Sequence, residues 1–151
     1  MPKREIIPFQ KDHAFQIDYR KGDEFAVDCL VDLADHPLYT AYTGMEDGRV
    51  LGVFGFIVLW DGVAEFSLTV SEGVLESPYN PTSRWIHKNA LRIINEFMEK
   101  KEFHRIQAVC DLRFGAQREN WLKRLGFEFE GIMRAYTPDK FDCARYALVR
   151  T

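Results

Sequence analysis

Residues 104–135 read HRIQAVCDLRFGAQRENWLKRLGFEFEGIMRA. The stretch divides into a strand, a turn, a short helix, a tight corner and a second strand. Ile106, Ala108 and Cys110 alternate with Gln107, Val109 and Asp111, the two-residue period of a strand. Trp121, Leu122 and Leu125 then recur at helical spacing. Gly126 stands where an ending helix usually needs a residue with positive φ. Phe127, Phe129 and Ile132 make the second apolar strand, and Gly131 breaks its alternation.

Upstream, Trp85, Ile86, Ala90, Ile93, Ile94, Phe97 and Met98 form one stripe of a long helix. Lys100 and Lys101 lie at its C-terminal end, where the helix dipole favours cations. Thr82 or Ser83 is expected to cap its first turn. The loop before it, Ser71 to Pro81, holds two prolines and one glycine. Further back, the Asp-Gly pairs at 47–48 and 61–62 mark two hairpin turns. They separate three strands, Tyr39 to Met45, Val50 to Trp60 and Ala64 to Val70. The second is apolar almost throughout, so a central place with both faces covered is expected. Phe25, Cys29, Leu30 and Leu33 are spaced for an amphipathic helix that His36-Pro37 ends. Asp12 is expected to cap a helical turn reaching Tyr19, and Ile6, Ile7 and Phe9 suggest a first strand. Downstream, Pro138-Asp139-Lys140 turns the chain into a last strand, Cys143 to Val149.

The chain has 151 residues, 46% hydrophobic and 28% charged, the composition of a single globular domain over 1–151. A net charge of −3 gives no overall basic field for nucleic acid. Three cysteines, an odd number without CxxC spacing, argue for reduced thiols in the cytoplasm and against a zinc site. His13, His36, His87 and His104 are scattered, so no metal is expected, and each reads as a surface or cap residue. No apolar run is long enough for a membrane span, and the N-terminus lacks a signal-peptide core. Walker, Rossmann and Gly-x-Ser-x-Gly motifs are absent.

Leu125-Gly126-Phe127, followed by Glu130-Gly131-Ile132-Met133-Arg134, resembles the second half of the GNAT superfamily of N-acetyltransferases. The resemblance extends from about Ile6 onward. It implies an α/β (α+β) fold: a mixed, mostly antiparallel sheet of six to seven strands with about four helices. In that fold the fourth and fifth strands, here Ala64 to Val70 and Ile106 to Asp111, splay apart.

The same resemblance implies acetyl-CoA as co-substrate and a primary amine as acceptor. The backbone of Leu68, Thr69 and Val70 would cradle the pantetheine arm. The helix start would bind the pyrophosphate, through the amides of Ser83, Arg84 and Trp85 and the side chains of Arg84 and Lys88. The superfamily's glycine-rich loop is missing at this point, so an ordinary capped helix with solvated Arg84 and Lys88 is the competing reading. Glu65 would be the general base that frees the amine, or else a carboxylate on the polar face of a half-buried strand. Glu72 is the second choice. The tyrosine that often reprotonates the thiolate is replaced by Leu122, leaving Tyr136 as the nearest candidate acid, or else a rim residue. Phe114-Gly115-Ala116 stands where the superfamily often has an asparagine. Acceptor choice would lie with Asp12 to Leu33 and Tyr136 to Arg145. Dimers are common in the superfamily; neither membrane nor nucleic acid is an expected partner.

Within the superfamily, the glycine-free loop, the Ala64-Glu65-Phe66-Ser67-Leu68-Thr69 run, the Arg84-Trp85 helix start and the Trp121 to Gly131 ending look like a group of phage-encoded GNAT-like proteins. These are similar to a small internal virion protein of tailed phages. That likeness implies a second reading, a non-catalytic binding or morphogenesis module in a virion or host cytoplasm.

Overall fold

A computed structural model describes residues 1–151, the side chain of Phe114 excepted; what that side chain contributes to the Phe114–Ala116 segment therefore lies outside the described residues. The elements run β1 Arg4–Pro8, a 3-10 turn Lys11–Gln16, α1 Ala26–Ala34, β2 Tyr39–Glu46, β3 Arg49–Trp60, β4 Val63–Val70, α2 Pro81–Lys100, β5 Arg105–Asp111, a second 3-10 turn, α3 Gln117–Arg124, β6 Glu128–Met133 and β7 Cys143–Val149. The strands make one seven-stranded sheet in the order β1-β2-β3-β4-β5-β7-β6. The β4–β5 pairing is parallel, and β1–β2, β2–β3, β5–β7 and β6–β7 are antiparallel. This is the mixed sheet expected from the sequence. The β4–β5 ladder has three pairs, Val63↔Arg105, Ala64↔Ile106 and Glu65↔Gln107, although β4 runs to Val70 and β5 to Asp111.

The residues group into two units, 1–58 with 67–86 and 59–66 with 87–151. In the first unit, Ala14, Ile17, Leu30, Met45, Val50 and Val53 form a core that Ile7, Phe9, Tyr19, Val27, Val31 and Ala41 pack against. Two glycines make room for close packing. A Cβ at Gly52 would stand 2.7 Å from the Thr69 carbonyl oxygen and 2.8 Å from Val70 Cγ1, and one at Gly44 would stand 3.2 Å from the Trp85 ring. The first helical turn is shorter than expected and 3-10 rather than α. His13 is drawn inward, its Nδ1 2.8 Å from Thr43 Oγ1, and Ile17 is already extended. His13 is therefore buried rather than at the surface.

In the second unit, Ile106, Ala108 and Cys110 of β5 and Ala144 and Tyr146 of β7 share a buried face. The Tyr146 hydroxyl donates to Glu119 Oε2 of α3 at 2.5 Å. The Leu-Gly-Phe corner has a physical cause. Gly126 has φ 95°, its N–H donates to the Lys123 carbonyl at 3.0 Å, and the Phe127 N–H donates to the Leu122 carbonyl at 3.1 Å. These paired bonds satisfy the last carbonyls of α3, and buried Leu122 and Phe127 close the turn. All three cysteines are free. Cys110 pairs with Ala144 and Cys143 with Asp111, so the two buried thiols face opposite sides of the sheet.

Candidate active site

Alternation along β4 sends Ala64 and Phe66 into the core and turns Glu65 to the other face. On that face Glu65 pairs with Gln107 of β5, and Gln107 with Ala147 of β7. Gln107 is 8% exposed. Its Oε1 accepts from Arg105 Nε at 3.2 Å and Nη2 at 3.1 Å. A guanidinium only donates, so the amide oxygen must face Arg105 and the amide nitrogen must point away from it. That nitrogen, Nε2, donates to Glu65 Oε1 at 3.3 Å. Arg105 is held in turn by Glu130, with Nη1 2.8 Å from Oε2 and Nη2 on Oε1. These bonds from Arg105 keep the Glu130 carboxyl below its ordinary pKa. Glu130 is the extra residue of a bulge between Phe129 and Gly131 in β6. The bulge lets Phe129 and Ile132 share a face while Glu130 reaches Arg105.

Tyr136 follows β6 in a turn closed by its N–H donating to the Phe141 carbonyl at 2.9 Å. Burial raises the pKa of its half-exposed phenol; the charge of Glu65 adds to the rise and that of Arg145 opposes it. Glu65 and Tyr136, far apart in sequence, thus act on one another electrostatically. Arg145 stands on β7 opposite Val109 and Gly131. Among the described residues it has no hydrogen-bond or ion-pair partner, and its Nε is buried.

The start of α2 differs from the expectation. Asn80, not Thr82 or Ser83, caps the helix: the Ser83 N–H donates to Asn80 Oδ1 at 2.7 Å and the Arg84 N–H to the Asn80 carbonyl at 3.1 Å. Pro81 is the first helical residue, where a missing N–H costs least. Ser83 is buried at 3% exposure, and the Trp85 ring lies against Gly44. Arg84 and Lys88 are exposed. An acid of the chain already stands at this positive helix end. Thr82 Oγ1 donates to Glu46 Oε2 at 3.1 Å, Arg4 Nε is 2.8 Å from the same oxygen, and Arg49 Nη2 is 3.4 Å from Oε1. Arg4 and Glu46 face one another across the β1–β2 ladder. Leu68, Thr69 and Val70 lie at the partly buried end of β4, just before Glu72. Glu72 is exposed in a cavity of about 590 Å³ that Asp18, Glu46, Arg49, Asn80 and Thr82 also line.

Sequence reasoning gave no site role to Gln107, Arg105, Glu46 or Asn80; it met Glu130 only in the Glu130 to Arg134 signature and Arg145 only as the end of the Tyr136 to Arg145 acceptor segment. Asn80-Pro81 carried a legible signal, a capping residue before a proline at the first helical position. The others depend on cross-strand partners. Among the described residues no group of three or more His, Cys, Asp or Glu could hold a metal ion, and no helix is long and apolar enough to cross a membrane.

No protein-family model matches the sequence. No curated protein matches it either. Solved structures do match. The ribosomal-protein-S5-alanine acetyltransferase of Vibrio fischeri superposes with a TM-score of 0.69 at 12% identity, over 99% of this chain and 97% of that one. A GNAT-family acetyltransferase from Bacillus anthracis gives 0.68 at 13% identity, over 99% and 98%. The chain has the GNAT acetyltransferase fold. A ribosomal L7/L12 alpha-N-protein acetyltransferase in complex with coenzyme A gives 0.68 at 13% identity, over 97% and 94%. At these identities the likeness is one of fold, and chemistry has to be argued from the residues of this GNAT-fold chain.

Proposed function

We propose that this GNAT-fold protein is an acetyl-CoA-dependent N-acetyltransferase of a primary amine, with direct transfer in a ternary complex. The observation that carries the reading is the Glu65 site. Glu65 is a carboxylate held by one oxygen from Gln107, its other oxygen has no partner among the described residues, and a phenol lies within its electrostatic reach. A primary ammonium with a pKa near ~10 must lose a proton before it attacks a thioester. Glu65 takes that proton, the amine nitrogen bonds to the acetyl carbon, and the carbon–sulfur bond breaks. The departing thiolate takes a proton from Tyr136, a phenol that carries its proton at neutral pH.

For the co-substrate, the backbone of Leu68, Thr69 and Val70 is proposed to meet the pantetheine amides, a role supported by the three-pair length of the β4–β5 ladder. The phosphates are proposed to lie at the α2 start. The Ser83 and Arg84 amides are engaged by Asn80 and Trp85 packs inward, so the exposed Arg84 and Lys88 side chains carry this role. Calorimetry with acetyl-CoA tests it. Micromolar binding that disappears in Arg84→Ala/Lys88→Ala supports the reading; no heat at millimolar ligand refutes it.

The second reading, a binding or virion-associated module on the same scaffold, draws support from the α2 start. Glu46 stands beside the helix start, and the loop has no glycine after Gly73. A protein that binds neither acetyl-CoA nor coenzyme A would favour it.

A further inference from the structure

The polar face around Glu65 carries three acids, Glu65, Glu130 and, opposite Ala147, the exposed Glu128, and two arginines, Arg105 and Arg145. Glu65, Arg105 and Glu130 are linked through Gln107. Both Glu130 oxygens are taken by Arg105, and Glu65 takes the Gln107 amide. Arg145 is left without an acceptor among the described residues, and its Nε is shut away from water. A partly buried guanidinium without an acceptor is costly, and a carboxylate is the group its fork fits best. The space beside it is open. Its neighbour across β6 is Gly131, where an added Cβ would meet nothing within 4 Å. Two residues along β7 on the same face, Ala147 keeps the surface low next to Gln107.

We propose that Arg145 binds the carboxylate of the acceptor, and that the acceptor is a small amino acid-like molecule whose amine is presented to Glu65. The amine end rests on the acetyltransferase reading; the carboxylate end rests on Arg145 alone. Counting two strands across and two residues along, the Glu65 and Arg145 Cα atoms are about 12 Å apart. The two side chains close most of that distance, leaving room for a molecule with an ammonium and a carboxylate a few bonds apart. Its opposite charges match the Glu65–Arg145 pair.

The test pairs acceptors. α-Amino acids and the primary amines that lack only their carboxylate are compared on the wild-type protein, Arg145→Met and Arg145→Lys. Wild type should prefer the amino acids. Arg145→Met should raise their KM about 10- to 100-fold, the loss expected for a charge-assisted hydrogen bond, and leave the KM of the plain amines unchanged, whatever it does to kcat for both sets. Arg145→Lys should recover part of the loss. A preference for plain amines, or an equal effect of Arg145→Met on both sets, overturns the proposal while leaving the transferase reading in place. A second readout needs no turnover: N-acetyl amino acids should raise the melting temperature of the wild type and not of Arg145→Met, and N-acetylated plain amines should raise neither. That pattern without any acetyl transfer would keep the carboxylate anchor and sink the transferase reading. No stabilisation and no preference sinks the anchor.

Discussion

Gln107→Leu is the most informative single change, because one amide joins the Arg105–Glu130 pair to Glu65. The substitution removes the acceptor of two Arg105 bonds and the donor of one Glu65 bond. Hydrogen bonds to charged groups contribute roughly 1.5–3 kcal/mol each, but Arg105 keeps its bidentate hold on Glu130 and the leucine adds buried apolar surface. The net loss should be about 1–2 kcal/mol, a fall in melting temperature of roughly 2–8 °C for a chain of this length. Glu65 would no longer be held by Oε1, and misalignment of the base should lower kcat about tenfold, equivalent to ~1.4 kcal/mol. Gln107→Glu separates the two effects. It keeps an acceptor for Arg105, so stability should stay close to wild type, but it offers Glu65 a like charge and no donor. Its kcat should fall at least as far as that of the leucine variant. Thermal unfolding and steady-state rates on the three proteins decide the matter. A Gln107→Glu protein as active as wild type, or a leucine variant that loses stability with kcat intact, would refute the positioning argument.

Three further outcomes follow from the geometry. Glu46→Gln removes the acid at the α2 start, so affinity for coenzyme A measured by calorimetry should rise about 2- to 5-fold, the scale of one charge at a helix end; an unchanged or weaker affinity would contradict the assignment. Gly52→Ala puts a Cβ 2.7 Å from the Thr69 carbonyl and should destabilise by about 1–3 kcal/mol in chemical denaturation; a neutral effect would mean β3 and β4 can separate at no cost. Burial, with help from the Arg124 charge, holds the His87 imidazole below its ordinary pKa. The unfolded chain then binds a proton near pH 6.5 that the folded chain refuses, so stability should fall as pH drops from about 6.5 toward the lower folded value. His87→Gln should flatten this part of the stability curve, and an equally steep fall in the variant would assign it to another group.

The fold was legible because its signals are local. The Leu125-Gly126-Phe127 corner announces a helix end in three residues, and the observed hydrogen bonds of Gly126 and Phe127 are the cause of that pattern. The Asp-Gly turns and the apolar β3 run are equally local. The α2 cap was also within reach, and was misplaced because Thr82 and Ser83 are good caps by type while Asn80-Pro81 fits by position. The site was legible only in part. Glu65 could be named from its place on a strand, but its partner Gln107 lies 42 residues away. That pairing exists only once β4 and β5 have a register. Glu130 joins the network through a bulge, which alternation along β6 cannot reveal because the extra residue cancels the period. Glu46 reaches α2 from a strand brought there by the sheet. Arg145 reads as one polar residue in an apolar strand, and it stands out only when Glu130 is found to be held by Arg105 and no acid of the described residues reaches it.

The central claim is that Glu65 accepts the acceptor's proton, and the pH dependence of coenzyme A thiol release tests it most directly. With acetyl-CoA and saturating amine, wild type should release thiol at neutral pH. Glu65→Gln should be about 10²- to 10⁴-fold slower at pH 7, bind acetyl-CoA as wild type does, and regain rate only at alkaline pH, where the amine is free without a base. Equal rates and equal pH profiles for the two proteins would contradict the account.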